Sequence, residues 1–308
     1  IAIEAAEQEM ISNGIVAVGD ILNTDNTFFQ KAKKQLRYHN FIEVFAFHPD
    51  KADSIFERGF ALYNQFEDPK SIIPHAPYSA SEKLLKQIGE FASTHNSILS
   101  IHNQESEEEN KFFLRKEGRI NARLKHFGID TSGWTAPGLA SLIATIPHLP
   151  KQNKTLFVHN TYTTQSEIRK AHQQYRFEAP TTKYQLPTTN SQIYWCFCPN
   201  ANLYIENKLP DFQIFLDENA HITIGTDSLA SNHSLSILEE LKTISKHAPH
   251  IPLEMLIQWG TLNGAEFLGF EKEFGSIDKG KKPGLNLIGN VDLESLKLSG
   301  SSIVTTIL

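Results

Sequence analysis

The arrangement of apolar segments along the chain restricts the possible folds more than any other feature. Seven short segments, most of them continuous apolar runs, alternate with stretches of helical spacing. Unbroken apolar runs are typical of strands buried on both faces, and their alternation with helices is typical of a parallel sheet. The segments are GIVAVGDILN, FIEVFAF, SIIPHAPYS, SILSIHNQ, KTLFVHNTY, QIYWCFCPN and HITIGTDS. The chain is therefore predicted to have an α/β fold.

The number of strands predicts a (β/α)8 TIM barrel whose first strand is not found within residues 1–308. Such a barrel has eight parallel strands, and the chain shows seven. The chain also begins with a predicted helix, residues 1–13, that has no strand ahead of it. We expect the barrel to occupy residues 1–270 and its first strand to lie in a preceding segment. Residues 271–308 contain two short strands, which we expect to form the C-terminal part of a small β-sandwich domain.

Apolar spacing and capping signals predict the helices between these strands. Besides residues 1–13, the predicted helices cover residues 27–40, 51–66, 81–96, 105–116, 138–147, 234–247 and 252–268.

Composition restricts the possible partners. The chain has 29 Lys and Arg against 35 Asp and Glu, a net charge of −6, and no basic cluster. A nucleic acid or an anionic membrane is therefore not an expected partner, and no apolar run is long enough for a membrane span. Two cysteines are too few for a disulfide framework, so a cytoplasmic location is expected. The sequence leaves a monomer and a homodimer open.

Chemically active side chains follow several of the predicted strands. Four side chains stand at or just after a strand end: His75, His102, His159 and Asp227. Asn202 follows the sixth of the seven segments, QIYWCFCPN. Only 13 of 308 residues are histidine, so chance is a poor explanation. The carboxyl ends of barrel strands carry the active site. We therefore expect these side chains to meet at one rim of the barrel.

The stretch IHNQE places Glu105 three residues after His102. A neutral imidazole at this position can bind a metal, and a carboxylate one turn further along the rim can move protons to or from a substrate. A core histidine bonded to a carbonyl group is the alternative for His102 alone.

Other candidates have more than one interpretation. Asp227 is either a metal ligand that also accepts a proton from water or a helix N-cap, although Ser231 and Asn232 could cap the following helix. His159 is either a ligand or a neighbour of the metal-bound water. Trp134 either overhangs the pocket or packs under its own loop.

His75 is expected to face substrate, with a hydrogen-bonded loop histidine as the alternative, which also applies to His159. Cys196 and Cys198 are interpreted as packing residues. His233 is ambiguous. The other histidines are expected on helices or connections, facing solvent: His39, His48, His95, His126, His148, His172, His221, His247 and His250.

Several stretches between residues 74 and 284 resemble the amidohydrolase superfamily. They are PHAPYS, IHNQES, FVHNTY, CPNANLYI, TIGTDSLASNHSLSILEELK and TLNGAEFLGFEKEFGSIDKGKKPG. The chain is most similar to the branch of metal-dependent aminohydrolases that deaminate cytosine, guanine and adenosine-type substrates. Chlorohydrolases of triazines are similar too.

The resemblance implies a function and a role for each candidate. The chain would deaminate an amino-substituted nitrogen heterocycle, a purine or pyrimidine base or a nucleoside, through a hydroxide on one divalent metal, Zn²⁺ first and Fe²⁺ second. His102 and Asp227 would bind the metal, Glu105 would shuttle protons, and His159 would orient water or substrate. His75, Asn202 and Trp134 would contact substrate. A chlorohydrolase, an amide hydrolase and an inactive scaffold are the alternatives.

One part of the family pattern is missing. The family takes two metal ligands from a His-x-His at the end of the first strand, and no two histidines in residues 1–308 have this spacing. This is the strand that the count above also lacks. Activity is therefore expected to require a His-x-His outside these residues.

Overall fold

The predicted strands are confirmed in a computed structural model, which describes residues 1–67, 69–175 and 192–307. Seven strands follow one another in the predicted order. They are β1 (Ala17–Leu22), β2 (Arg37–Val44), β3 (Lys70–Pro74), β4 (Leu99–Asn103), β5 (Thr155–His159), β6 (Ile193–Phe197) and β7 (His221–Ile224).

The seven strands form two parallel sheets, ordered β1-β2-β3 and β4-β5-β6-β7. The sheets meet just beyond β3, where the backbone N–H of His102 in β4 donates to the carbonyl oxygen of His75 at 3.0 Å. Within the described residues, β1 pairs only with β2 and β7 only with β6. The α/β fold with parallel strands and covering helices is thus confirmed.

Helices alternate with the strands and pack on the outside of the sheets. They are α1 (Ala2–Ser12), α2 (Phe28–Lys31), α3 (Ala52–Tyr63), α4 (Glu82–His95), α5 (Glu107–Arg115), α6 (Gly118–His126), α7 (Ser141–Thr145), α8 (Gln165–Gln174), α9 (Pro199–Glu206), α10 (Phe212–Asp217), α11 (Ile237–His247), α12 (Leu253–Gly260) and α13 (Leu262–Leu268). Ser81 caps α4 as predicted, because its hydroxyl accepts from the backbone N–H of Leu84 at 3.3 Å.

The predicted helix over residues 27–40 is wrong in its second half. Only Phe28–Lys31 is helical, and β2 begins at Arg37, opposite Ala17 of β1. Pairing with β1 therefore overrides the local helical spacing. The predicted helix over residues 252–268 is interrupted at Thr261, which separates α12 from α13.

The expectation that His39 faces solvent is also wrong. His39 lies in β2 and is buried, and its Nε2 is 2.8 Å from the hydroxyl of Ser71 on β3. Burial lowers the pKa of His39 to about 3, so it is neutral. His221 likewise belongs to a strand, β7, and is half-buried rather than solvent-facing.

A small antiparallel sheet lies at the C-terminal end, formed by β8 (Asn286–Gly289) and β9 (Ile303–Thr306). It contacts the start of the barrel, where the Asn286 side-chain amide donates to the carbonyl oxygen of Gly14 at 2.9 Å. The two strands were predicted; their assignment to a separate domain stays a prediction. No described helix has the length and apolar character to cross a membrane.

Candidate active site

Six side chains meet at the carboxyl ends of the strands in two neighbouring groups. In the histidine group (Glu43, His75 and His102), one N or O atom of each side chain lies within 4.8 Å of the others, and the same holds in the acidic group (Glu105, His159 and Asp227). The rings of His102 and His159 are stacked with centroids 5.3 Å apart, so the two groups adjoin. Five of the six were predicted, four from their positions at strand ends and Glu105 from its spacing after His102.

Glu43 was not predicted from the sequence. It is the penultimate residue of β2 and stands between the apolar Ile42 and Val44. Burial raises the pKa of its carboxyl group, while the nearby His102 lowers it and Asp227 raises it further. The available signal was a single acidic residue within the otherwise apolar segment FIEVFAF.

The His102 ring is held in one tautomer. Its Nδ1 lies 2.9 Å from the carbonyl oxygen of His75, and because a carbonyl only accepts, Nδ1 carries the hydrogen. The lone pair is therefore on Nε2. This is the arrangement of a metal-binding histidine, whose second nitrogen is fixed by a hydrogen bond.

The His159 ring is held by Asn202. The Asn202 amide nitrogen lies 3.4 Å from the carbonyl oxygen of His159, so its side-chain oxygen points to Nδ1 of the ring, at 2.8 Å. Nε2 of His159 then faces Glu105, with 3.4 Å between Nε2 and the nearer carboxylate oxygen. Asn202 is fully buried and lies behind the histidine, not at the open side of the site.

Asp227 is fixed in place by its own loop. One carboxylate oxygen accepts from the backbone N–H of Ser228 at 2.7 Å, and the other accepts from the Ser231 hydroxyl at 2.6 Å. The following helix, α11, begins much later and is capped by Ser236. Asp227 therefore does not cap that helix, and its remaining lone pairs are available to a ligand.

Four non-glycine residues at this rim have an unusual backbone conformation. Gln104, His159, Asn160 and Asp227 all have positive φ, between 44° and 76°. Non-glycine residues rarely adopt this region, and such strain is common at functional sites.

The loop that carries Glu105 is held by a buried network of hydrogen bonds. The neighbouring Gln104 donates its backbone N–H to Glu109 at 2.9 Å and accepts from the Thr163 hydroxyl at 2.6 Å. Its amide nitrogen donates to Glu167 at 3.1 Å. Burial raises the pKa of Glu109 to about 7. The loop that carries Glu105 is thus bonded to the loops after β5.

A second buried carboxylate, Glu240, supports the Asp227 loop. It accepts from the backbone N–H of Asn200 at 2.8 Å and from the amide of Asn232 at 2.6 Å, and Asn232 also donates to the carbonyl oxygen of Thr226 at 2.6 Å. Burial raises the pKa of Glu240 to about 7.

The remaining candidates lie around the two groups. Nδ1 of His75 is 2.8 Å from the Ser79 hydroxyl, and burial lowers the pKa of His75 to about 3, which keeps it neutral. The Trp134 ring stacks on Phe112 with centroids 4.3 Å apart, so it packs under its loop and belongs to neither group. Cys196 and Cys198 are free and buried, and they pack with Val158 and Ala201.

The donor atoms of the site fit a divalent metal. The hydrogen bond from Nδ1 of His102 to His75 leaves Nε2 as the nitrogen that can bind a cation, and Asp227 in the adjoining group supplies carboxylate oxygens. Imidazole nitrogens and carboxylate oxygens are ordinary ligands of Zn²⁺.

Comparisons with known proteins identify the family and the fold. The family model described as "Amidohydrolase family" matches residues 1–305. A 5-methylthioadenosine/S-adenosylhomocysteine deaminase of Thermoanaerobacter pseudethanolicus is 27% identical over 70% of this chain and 43% of its own length. An aminodeoxyfutalosine deaminase of Nitratiruptor is 25% identical over 96% of this chain and 70% of its own length. The chain thus spans less than half of the first of these relatives.

Solved structures share the fold. Helicobacter pylori aminofutalosine deaminase, in complex with methylthio-coformycin, superposes with a TM-score of 0.77 at 24% identity, covering 94% of this chain and 67% of the other. An adenosine deaminase of Xanthomonas campestris with bound zinc gives 0.67 at 22% identity, covering 95% and 62%. Members of this family bind a divalent metal. With nearly its whole length matched by the family model, the chain belongs to the amidohydrolase family.

Proposed function

We propose that this protein is a metal-dependent hydrolase that deaminates an amino-substituted heterocycle, with adenine nucleosides as the first substrates to test. The observation that carries the proposal is the contact of Glu105 with Nε2 of His159, beside the stacked His102 ring. The deaminase names of the relatives support the choice of substrate.

The proposed metal is zinc, with His102 and Asp227 as two of its ligands. Catalytic zinc sites use at least three protein ligands. The expected His-x-His outside residues 1–308 would complete the set. When bound there, the cation would supply the Lewis acidity that makes water a nucleophile near neutral pH.

The protein's own groups would handle the protons. Asp227, beside the cation, accepts the proton of the attacking water. Glu105 donates to the ring nitrogen of the heterocycle and then helps transfer a proton to the departing ammonia. His159, oriented by Asn202, holds its Nε2 towards Glu105 and would orient the attacking water or the substrate. Neutral His75 offers a hydrogen bond to the substrate ring.

Replacing Glu105 tests this assignment. In the full-length protein, we expect Glu105→Gln to keep its metal and to lower kcat by a factor on the order of 10² or more, because the amide cannot transfer the proton. Ammonia release from adenine nucleosides is the measurement. Glu107→Gln is the matched control, since Glu107 makes the same charge change from an exposed position on α5.

The outcome also separates the alternatives. Chloride release from chlorotriazines or a carboxylate product from amides would replace deamination as the activity. Absence of both metal and turnover in the full-length protein would identify an inactive scaffold. Near-normal turnover of Glu105→Gln would remove Glu105 from the mechanism. The cytoplasmic location stays a prediction.

A further inference from the structure

The site has three acidic side chains, and the reaction proposed above gives a role to Glu105 and Asp227 but none to Glu43. It projects from β2 into the histidine group, and its side chain is 10% exposed. No hydrogen bond to its carboxylate is found among residues 1–67, 69–175 and 192–307. An almost buried carboxylate without a donor is costly to keep, so its presence calls for an explanation.

The position of Glu43 relative to His102 suggests that explanation. A carboxylate oxygen of Glu43 lies 3.9 Å from Nδ1 of His102, the nitrogen whose hydrogen already points to the carbonyl oxygen of His75 at 2.9 Å. The distance of 3.9 Å is too long for a hydrogen bond. The interaction is therefore between a negative charge and the polar N–H edge of the ring.

This geometry does not favour Glu43 as a metal ligand. A cation held by the Nε2 lone pair of His102 lies beyond the opposite edge of the ring from Nδ1. Glu43 is on the Nδ1 side, so it would act on the cation through the imidazole. A carboxylate close to the N–H edge of a ligand histidine raises the basicity of the other nitrogen and helps to fix the ring.

We propose that Glu43 is a positioning residue for His102, which together with the His75 carbonyl oxygen holds the ring in its metal-binding tautomer and strengthens Nε2 as a ligand. The inference rests on the proposed function only in requiring that His102 binds the cation. It does not depend on which substrate is converted.

Zinc affinity in the absence of substrate is the appropriate measurement. The metal-free, full-length protein is titrated with Zn²⁺ against a competing chelator. We expect Glu43→Gln to weaken zinc binding by about 10- to 100-fold, as substitutions of groups that orient metal ligands do. Glu43→Asp, which keeps the charge on a shorter side chain, should recover part of the affinity.

The matched control is Asp20→Asn. Asp20 lies on the neighbouring strand β1 and its carboxylate pairs with Lys31 at 2.5 Å, away from both groups. This variant loses one carboxylate charge from the same sheet and should bind zinc as the unsubstituted protein does. A circular dichroism spectrum and a thermal melt of each variant check that the fold is retained.

Three results would overturn the inference. Loss of zinc as complete as in His102→Asn would make Glu43 a direct ligand. Unchanged zinc affinity with a raised KM would make it a substrate contact, and an equal weakening by Asp20→Asn would make the effect a general one of charge. A zinc effect limited to Glu43, in a protein that releases no ammonia, would leave this inference standing and reject the proposed function alone.

Discussion

At the scale of single residues, the site contains two stacked imidazoles that are oriented by different partners. His102 donates from Nδ1 to a backbone carbonyl oxygen, whereas His159 donates from Nδ1 to the Asn202 side chain. In both rings Nδ1 is taken by this hydrogen bond and Nε2 is the nitrogen left for the site, but only His159 directs Nε2 towards Glu105. The same side-chain type can thus serve a ligand role and a proton-handling role a few ångströms apart.

This difference leads to a prediction for a pair of variants. We expect His159→Asn to retain near-stoichiometric metal while losing activity by about 10- to 100-fold, because the group that orients the water or the substrate is removed. His102→Asn should lose the metal itself. Bound metal and ammonia release should be measured side by side in both full-length variants. A metal-free His159→Asn together with a metal-loaded His102→Asn would show that the two roles are reversed.

The predictable part of the site was the part located at strand ends. In a parallel barrel all carboxyl ends lie at one rim, so His75, His102, His159 and Asp227 could be brought together from their sequence positions alone. Glu43 could not be, because the apolar segment FIEVFAF continues to Phe47 and conceals that β2 already ends at Val44, next to Glu43. The side-chain partners of a residue are also invisible in the sequence.

At the scale of secondary-structure elements, pairing between strands determined the conformation where the local sequence pattern predicted the wrong one. The residues after Lys31 have helical spacing, yet Arg37 to Asn40 pair with β1 and extend as β2. His39 is consequently inside the sheet, bonded to Ser71, and not on a solvent-exposed helix. Helix α4, whose cap and apolar face agree with each other, was predicted correctly.

Close packing of β7 on β6 explains why a glycine precedes the Asp227 loop. A Cβ atom on Gly225 would lie 3.0 Å from the Cys196 Sγ and 3.3 Å from the Cys198 Sγ. Both thiols are buried, so neither can move away freely. The approach of the two strands therefore depends on the absence of a side chain at this position.

We accordingly expect Gly225→Ala to destabilise the protein by about 1–3 kcal/mol through overpacking, and to lower metal affinity by displacing Asp227. Adding Cys196→Ala should restore part of both losses, because it removes the closest atom. Chemical denaturation and zinc titration of the two single variants and the double variant form a double-mutant cycle. Strictly additive effects would mean that the thiol is not the obstacle.

At the scale of the whole molecule, the histidine group lies where the two sheets meet, and the acidic group lies beside it at the carboxyl ends of the second sheet. His75 follows the last strand of one sheet and His102 belongs to the first strand of the other, and the backbone bond between them joins the sheets. Two buried carboxylates, Glu109 and Glu240, hold the loops on either side. The stability of the whole fold is therefore linked to the protonation of these two groups.

The direction of this linkage follows from their pKa values. Burial raises the pKa of both Glu109 and Glu240 from 4.5 to about 7, so the folded chain holds protons that the unfolded chain releases. Their contribution to stability is fully present below pH 4.5, declines as the pH rises towards 7, and is lost above it. For each group the change is on the order of 3 kcal/mol.

Neutral replacements should remove this decline. Between pH 5 and about pH 8, the free energy of unfolding of Glu109→Gln, and likewise of Glu240→Gln, should increase relative to that of the unsubstituted protein, because the amide never ionises. Urea denaturation across this range is the measurement, with exposed Glu107→Gln on α5 as the control. Parallel pH profiles for all four proteins would show that neither buried carboxylate titrates with folding.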